Sequence, residues 1–206
     1  MSLSPSALEL VGAAKTLGLP VSVPQAETLS RYEGLLRGRG VDLGLIAEGD
    51  RGRIRDRHVL DCLRAAAVVR SEDRVAYDLG SGAGLPGVVV AVARPFLRLI
   101  LVEARLRRVA FLELVASELG LPNVSVLHAR AEGLKDPADL CFARAFSSLD
   151  ESWRIGRRLL RSGGRLVYFA GEGACVPDEP PEGAGSCVAV GPMLESSGPL
   201  VIMTRQ

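Results

Sequence analysis

The sequence predicts an α/β fold with a mostly parallel sheet, on the basis of three observations. After residue 72, short apolar segments alternate with longer amphipathic ones, which is the pattern of strand–helix–strand units. A glycine-rich stretch, "YDLGSGAGLPGVVVAV" at 77–92, follows the first apolar segment and leads into an apolar run. The last two apolar segments, at 186–191 and 200–204, are separated by turn residues and are typical of an antiparallel hairpin.

Residues 1–71 are predicted to form an N-terminal helical extension, and residues 72–206 a core that folds as one compact unit. Pro5 opens a first helix and Pro24 suits the first turn of a second. A third helix is predicted over 54–69 from its apolar spacing. The apolar face of the first helix is expected to consist of Leu8, Val11 and Ala14.

The core is predicted to contain five parallel strands before the hairpin. An amphipathic helix covers 107–120 and ends at Gly120, a residue type that favours helix termination. The strands are expected at 74–79, 97–102, 123–128, 139–145 and 164–170.

Composition excludes several classes of protein. The chain has 206 residues, 48% of them hydrophobic, and a formal net charge of +1, so bulk charge indicates no polyanionic partner. Arginines are nevertheless concentrated, six within 51–70 and five within 154–165. No signal peptide or membrane span is predicted, and we expect a cytoplasmic protein. No metal site is predicted, because no paired spacing links the four cysteines, Cys62, Cys141, Cys175 and Cys187.

Four glycines after the first predicted strand indicate a loop that holds a small molecule. They are Gly80, Gly82, Gly84 and Gly87, whereas a plain strand-to-helix turn needs only one or two. The loop lies at the carboxyl end of a parallel strand, which is where open α/β sheets bind ligands.

Two kinds of cofactor fit this loop. Gly82-x-Gly84-x-x-Gly87 matches the dinucleotide pattern, and Glu103 lies 21 residues after Gly82, near the position of a ribose-binding acid. Asp78 favours S-adenosylmethionine instead, because a carboxylate repels a pyrophosphate and attracts a cationic amino group and sulfonium. A D-x-G-x-G-x-G loop with an acid ending the next strand is the motif of class I methyltransferases. We therefore predict a class I, Rossmann-like methyltransferase fold, with a dinucleotide enzyme as the alternative.

Three segments carry a more specific pattern: "RHVLD" at 57–61, "DLGSGAGLPG" at 78–87 and "ARAFSSL" at 143–149. Together they resemble the bacterial small-subunit (16S) ribosomal RNA guanine-N7 methyltransferases, also called glucose-inhibited division protein B. The match in order and spacing covers roughly residues 25–205. The Leu-Pro-Gly after the third glycine and the Arg-Ala-Phe after the fourth strand are more discriminating than the glycine loop.

The resemblance implies S-adenosylmethionine as cofactor and assigns roles to individual positions. Glu103 would accept both ribose hydroxyls, and Ala131 and Glu132 would lie where adenine is received. Arg144 would lie beside the transferred methyl group and is the candidate catalytic residue. The expected cofactor contacts are Asp78, Gly80, Gly82, Gly84, Leu85, Pro86, Gly87, Glu103, Ala131, Glu132 and Arg144.

Ribosomal RNA, or the small ribosomal subunit, is the partner that the resemblance implies, with the protein acting as a monomer. If RNA is the acceptor, the arginines at 51–57 and 154–165 should border the cofactor cleft. Alternatives are a solvated arginine segment, an ordinary helix histidine at His58, and a structural ion pair of Arg144 with Asp78 or Glu103. The candidate RNA contacts are Arg53, Arg55, Arg57 and His58.

The chain departs from the family pattern at three places on the side where RNA would lie. "DLGLIAEG" at 42–49 replaces an Asn-Leu-Thr segment, and Phe169-Ala170-Gly171 replaces a Lys-Gly pair at the end of the fifth strand. Ser197-Gly198-Pro199 replaces an Arg-His pair before the last strand. Two further hypotheses therefore remain open: a methyltransferase of a small molecule or protein, and an inactive cofactor-binding module that assists ribosome assembly.

Overall fold

The computed structural model describes residues 4–172, 174, 179–191, 194 and 197–206. Its strands are Val75–Leu79 (β1), Arg98–Glu103 (β2), Val124–His128 (β3), Ala138–Arg144 (β4), Leu160–Phe169 (β5), Ala184–Val190 (β6) and Leu200–Arg205 (β7). They form one seven-stranded sheet in the order β3-β2-β1-β4-β5-β7-β6. The first five strands are parallel, and β7 runs antiparallel between β5 and β6. The predicted fold, a parallel sheet closed by a C-terminal hairpin, is confirmed.

The helices surround this sheet. They are Pro5–Thr16 (α1), Val23–Leu35 (α2), Asp61–Val68 (α3), Gly87–Ala93 (α4), Leu106–Leu119 (α5) and Leu149–Leu159 (α6). The helix predicted over 54–69 is confirmed, but its first part, Ile54–Leu60, is a wider π-helical segment that leads into α3. The fifth strand begins earlier than predicted, because Leu160 already pairs with Ala138 across an irregular register.

The predicted apolar face of α1 is wrong. The residues that α1 buries are Ala7, Leu10 and Ala14, whereas Leu8 is 50% exposed. Both triplets recur at helical spacing, and they share Ala14, so periodicity alone could not choose between them. Packing against α2 determines which face of α1 is buried, and the long side chain of Leu10 is fully buried there.

The N-terminal helices support the glycine loop directly. Tyr32 of α2 is fully buried, and its hydroxyl donates a hydrogen bond to the carbonyl oxygen of Ala83 at 2.8 Å. Leu29 belongs to the same buried cluster as Val88 and Leu99 in the sheet-forming part of the chain. The extension and the sheet therefore share one hydrophobic core, and the division at residue 71 stays a prediction.

The carboxyl ends of four neighbouring strands meet at one edge of the sheet. Leu79 of β1 is in register with Val102 of β2 and with Ala143 of β4, and Ala143 is in register with Tyr168 of β5. The loops that follow these strands are consequently brought side by side. No helix of the described part of the chain is long and apolar enough to span a bilayer.

Candidate functional site

The glycine loop after β1 adopts a conformation that favours glycine. Gly80, Gly82 and Gly84 have φ angles of 67°, 58° and 94°, in the region where a Cβ atom causes steric conflict. The backbone N–H of Ser81 donates to the carbonyl oxygen of Val102 at 2.9 Å, so the loop is tied to β2. The loop thus presents its backbone, rather than side chains, to the space above the strand ends.

Gly84 and Gly87 are packing glycines. A Cβ atom on Gly84 would lie 3.0 Å from the hydroxyl of Tyr32, and one on Gly87 would lie 2.6 Å from Oδ2 of Asp78. Neither residue lines a cavity formed by the described residues, and neither does Pro86. Gly84 therefore packs the loop against the helices behind it and Gly87 packs it against β1 and β2, while cofactor contact by Gly84, Pro86 and Gly87 stays a prediction.

Asp78 also lies behind the loop. Its side chain is buried, and Oδ2 accepts a hydrogen bond from the backbone N–H of Gly87 at 3.1 Å. Burial raises the pKa of the Asp78 carboxyl to about 7, although the Gly87 N–H opposes that rise. Asp78 does not line either of the two cavities at the strand ends, and its contact with the cofactor, directly or through water, stays a prediction.

The first of two adjoining cavities, here called the cofactor cavity, has a volume of about 350 Å³. It lies above the ends of β1 and β2, between the glycine loop and the turn after β3. Three of the residues expected to bind the cofactor after β2 and β3 line it: Glu103, Ala131 and Glu132. Its other walls include Gly80, Phe146 and three arginines, Arg105, Arg108 and Arg130.

Glu103 is held rigidly at the wall of the cofactor cavity. Its Oε1 accepts a hydrogen bond from the Arg105 N–H at 2.9 Å, and its Oε2 accepts one from the Gly82 N–H at 3.1 Å. The Arg108 guanidinium lies 3.6 Å from Oε2. A carboxylate offers about four acceptor positions, so both oxygens can still accept hydrogen bonds from ligand hydroxyls.

The second cavity, here called the acceptor cavity, has a volume of about 650 Å³ and lies above β4 and β5. Gly80, Arg108 and Ala145 line both cavities, so the two adjoin there. Ala145 has a φ of 52°, which costs a non-glycine residue of the order of 1–3 kcal/mol. This turn directs Arg144 to the acceptor cavity and Phe146 to the cofactor cavity.

Arg144 is fixed by several partners around the acceptor cavity. Its Nη2 donates to the carbonyl oxygen of Arg57 at 3.2 Å and lies 3.0 Å from Nδ1 of His58. Its Nε lies 3.7 Å from Oδ2 of Asp61, and its guanidinium is 5.8 Å from the ring centroid of Phe169. The acid beside Arg144 is thus Asp61, and not Asp78 or Glu103 as the structural alternative proposed.

His58 is a neutral side chain within this arrangement. Burial, reinforced by the charge of Arg144, lowers the pKa of His58 to about 4. Because Arg144 donates to Nδ1, the imidazole proton belongs on Nε2, which lies 3.4 Å from Oδ2 of Asp50. His58 lines the acceptor cavity as a partner of Arg144, and its contact with RNA stays a prediction.

The arginine segment at 51–57 is mostly occupied with intramolecular ion pairs. Arg55 binds Glu33 at 2.8 Å and Glu9 at 3.0 Å, between α1 and α2, and we withdraw it from the RNA-facing residues. Arg53 and Arg57 both pair with Asp50, at 3.0 and 3.3 Å, but remain partly exposed. Arg57 also lines the acceptor cavity.

The arginines at 154–165 do not all border the cleft, contrary to the prediction. Arg165 forms a buried ion pair with Asp73 at 2.6 Å, and Arg161 pairs with Asp139 at 2.6 Å. Both pairs lie at the amino end of the sheet, because α6 and the start of β5 lead the chain away from the strand ends that carry the site. These two arginines therefore stabilise the far side of the core.

Sequence reasoning missed the arginines around the cofactor cavity. Arg105 and Arg108 follow Glu103 in the segment "EARLRR", and Arg130 precedes Ala131. The position of this segment immediately after a parallel strand is a signal that could have identified it. The acceptor cavity is also lined by residues of the two divergent segments at 42–49 and 197–199, namely Leu45, Ile46, Ala47, Ser197 and Gly198. No sequence motif indicated two further lining residues, Asp50 and Tyr168.

Metal binding has no support in the described residues, where no group of three or more His, Cys, Asp or Glu side chains could hold an ion. Cys62 and Cys141 are buried, and Cys187 is partly buried. Cys175 lies outside the described residues.

The strand order, the glycine loop after β1 and the acid ending β2 define a class I methyltransferase fold. Two solved structures share this fold. A 16S rRNA methyltransferase of T. thermophilus, solved with AdoMet and guanosine, has a TM-score of 0.55 at 17% identity, covering 73% of this chain and 43% of that chain. The mitomycin 7-O-methyltransferase MmcR has a TM-score of 0.54 at 19% identity, covering 72% of this chain and 54% of that chain.

The chain belongs to the rRNA small subunit methyltransferase G family, whose model matches residues 25–178. A relative of that name from Nocardioides sp. is 49% identical over 145 residues, covering 68% of this chain and 57% of the relative. Another, from Mycolicibacterium gilvum, is 40% identical over 156 residues, covering 73% and 68%. The chain thus spans between about half and two thirds of the length of these relatives. The family resemblance found in the sequence is confirmed.

Proposed function

We propose that this chain is an S-adenosylmethionine-dependent methyltransferase that methylates N7 of a guanine in small-subunit ribosomal RNA. The observation that carries the proposal is the pair of adjoining cavities, one with Glu103 at its wall and the other with Arg144. The family membership supports ribosomal RNA as the class of substrate.

The cofactor cavity fits S-adenosylmethionine. Gly80 provides a close backbone surface, since a Cβ atom there would lie 2.6 Å from the Phe146 ring. Glu103 provides acceptors for the two ribose hydroxyls, and buried Ala131 provides an apolar wall for adenine. When bound, this cofactor supplies a methyl group on a positively charged sulfur.

The residues of the acceptor cavity suit an acceptor that needs no deprotonation. Guanine N7 carries its own lone pair, so a new N–C bond can form as the S–C bond breaks, and no proton moves. Catalysis is then mainly positioning of the two reactants in line. Arg144 would hold a phosphate or a base edge of the acceptor nucleotide, and neutral His58 would keep the Arg144 guanidinium in place.

The surface that we propose for RNA is the arginine rim, defined as Arg105, Arg107 and Arg130. These side chains are exposed, and in the described part of the chain none of them forms an ion pair. Arg105 and Arg130 line the cofactor cavity, whereas Arg57 lines the adjoining acceptor cavity. An RNA strand that contacts both groups would therefore place a base over the acceptor cavity.

Salt dependence of RNA binding tests this rim. Removing one phosphate contact lowers the slope of log affinity against log salt by about 0.7–0.9. Replacing Arg105 and Arg107 together with Ala should therefore lower the slope by about 1.5. The matched control replaces Arg70 and Arg98, which are exposed near the amino ends of β1 and β2, and should leave the slope unchanged. Equal slopes in the two double variants would remove the rim from the RNA surface.

Methyl transfer is the test of the proposed function. Labelled S-adenosylmethionine is incubated with small ribosomal subunits isolated from cells that lack the modification, and the RNA is digested to nucleosides. We expect label in 7-methylguanosine. Binding of the cofactor without label in any RNA nucleoside would instead support a small-molecule or protein acceptor, or an inactive assembly module.

A further inference from the structure

We propose that Arg64, a buried arginine behind the acceptor cavity, is a positioning residue that keeps Arg144 available to the substrate. The inference rests on the proposed function, because it assigns Arg64 a part in the same methyl transfer. Arg64 lies on α3 and is only 3% exposed, so it acts through other residues rather than on the substrate itself.

Arg64 is bound to one oxygen of Asp61. Its Nη2 and Nε donate to Asp61 Oδ1 at 2.6 and 3.0 Å, and its Nη2 also donates to the carbonyl oxygen of Gly198 at 2.9 Å. Both members of this ion pair are nearly fully buried. Charged hydrogen bonds of this kind are about twice as strong as neutral ones, so Arg64 holds Asp61 firmly.

Asp61 is therefore shared between two arginines. Its second oxygen, Oδ2, faces Arg144 Nε at 3.7 Å, which is longer than a hydrogen bond. A carboxylate with one oxygen bound to Arg64 attracts a second arginine less strongly than a free carboxylate does. Without Arg64, we expect Arg144 to form a close, two-bonded pair with Asp61 and to withdraw from the cavity.

Phe169 links the same two arginines from the other side. The Arg64 and Arg144 guanidinium carbons lie 5.9 and 5.8 Å from its ring centroid, within the range of cation–π attraction. Phe169 ends β5, where the family pattern has a Lys-Gly pair. Phe169 lines the acceptor cavity, and Arg64 supplies a positive charge behind it.

The third element of this arrangement is the segment before β7. A Cβ atom on Gly198 would clash with the carbonyl oxygens of Ala170 and Gly171, so only glycine allows the segment to lie so close to the end of β5. This close approach brings the Gly198 carbonyl within reach of Arg64. Both segments that depart from the family pattern, 169–171 and 197–199, therefore contact the same buried arginine, Arg64.

Kinetics of two Arg64 variants test the proposal. Arg64→Met removes the charge at similar length and should lower kcat for methyl transfer by between about 10- and 100-fold, the scale of a reactant misplaced by about 1 Å. The KM for S-adenosylmethionine should not change. Arg64→Lys keeps the charge and should retain most of the activity. Equal loss in the two variants would mean that the charge of Arg64 has no positioning role.

A double variant separates positioning from mere support of the fold. If Arg64 acts by restraining the charge of Asp61, then Asp61→Asn should restore part of the activity that Arg64→Met removes. A double variant no more active than Arg64→Met would overturn the proposal. Should Arg64→Met not fold, Arg64→Gln removes the charge while keeping a donor for Gly198, and the same comparison applies.

Proton NMR of the histidines gives a readout that does not depend on any methyl acceptor. The chain has only His58 and His128, so the two imidazoles are easily assigned. His58 is faced by Arg144, Arg57 and Asp50. In Arg64→Met, Arg144 should leave His58, and the His58 pKa should rise from about 4 while exposed His128 is unchanged. An unaltered His58 titration would refute the positioning role, whereas failed methyl transfer by the wild type would count only against the proposed function.

Discussion

The two cavities of this protein are built in different ways. In the cofactor cavity the central side chain, Glu103, is fixed by the backbone N–H groups of Gly82 and Arg105. The acceptor cavity is made by side chains that hold each other through charge, with Arg144, Asp61 and His58 at its centre. The difference teaches that Glu103 is positioned by nearby backbone groups, whereas Arg144 is positioned by charged and polar side chains from distant segments.

We expect the largest loss of cofactor affinity from a substitution in the glycine loop, which tests whether the cofactor binds there. Gly80→Val places a branched side chain at a φ of 67° and against the Phe146 ring. Affinity for S-adenosylhomocysteine should fall by about 100-fold or more, measured by calorimetry. The matched control is Gly12→Val, at an exposed helical glycine with open space around it, which should bind normally. Undiminished binding in Gly80→Val would move the cofactor away from this loop.

Arg144→Ala should affect the other cavity alone. Methyl transfer should fall by about 100-fold, because the variant lacks a group that orients the acceptor. Cofactor affinity should stay within about twofold of the wild type. Arg158→Ala, at an exposed position on α6, is the control and should be fully active. If Arg144→Ala weakened cofactor binding as well, the division between the two cavities would be wrong.

The loss of cofactor affinity caused by Glu103→Ala is expected to be intermediate. Loss of hydrogen bonds to a charged group should weaken cofactor binding by about 1.5–3 kcal/mol, measured by calorimetry. Since Glu103 also accepts the Gly82 and Arg105 N–H groups, the melting temperature should fall modestly too. Glu113→Ala, on the exposed face of α5, controls for removal of a carboxylate. A lower melting temperature with unchanged cofactor affinity would make Glu103 purely structural.

The smallest effect concerns pH and stability. The pKa of His58 is lowered to about 4 in the folded protein, below its ordinary value of 6.5. Its contribution to stability is therefore present above pH 6.5 and is lost as pH falls toward 4. Asp78, with a pKa raised to about 7, contributes in the opposite sense, since its stabilisation is lost as pH rises through 7.

Comparison with His58→Gln isolates the first of these contributions. Lowering the pH from about 7 to about 5 should destabilise the wild type relative to His58→Gln by a few degrees in melting temperature, since about 1 kcal/mol shifts Tm by about 2–4 °C. The control His128→Gln, at an exposed position, should follow the wild type. Parallel pH profiles for all three proteins would mean that His58 is not buried as a neutral imidazole.

On the cofactor side the sequence predicted the positions of the glycine loop and of Glu103, because these signals are local. The loop at 78–87 is contiguous, and Glu103 follows from the end of the next strand. The acceptor side depends on contacts between distant segments, such as Arg144 with Asp61 and Arg55 with Glu33. The number of arginines in a segment does not reveal these ion pairs. The packing of the helices determines which acid faces which arginine. The arginine rim, by contrast, follows the ends of β2 and β3 directly, so its position in the sequence could have indicated it.

The most direct test of the central claim is a calorimetric titration of the wild type with S-adenosylhomocysteine and with NAD. Either ligand could follow from the glycine spacing and from Glu103, but the family to which the chain belongs favours the first. We predict binding of S-adenosylhomocysteine that Glu103→Ala weakens and Arg144→Ala does not, with no heat from NAD. Binding of NAD in the absence of any response to S-adenosylhomocysteine would contradict the account.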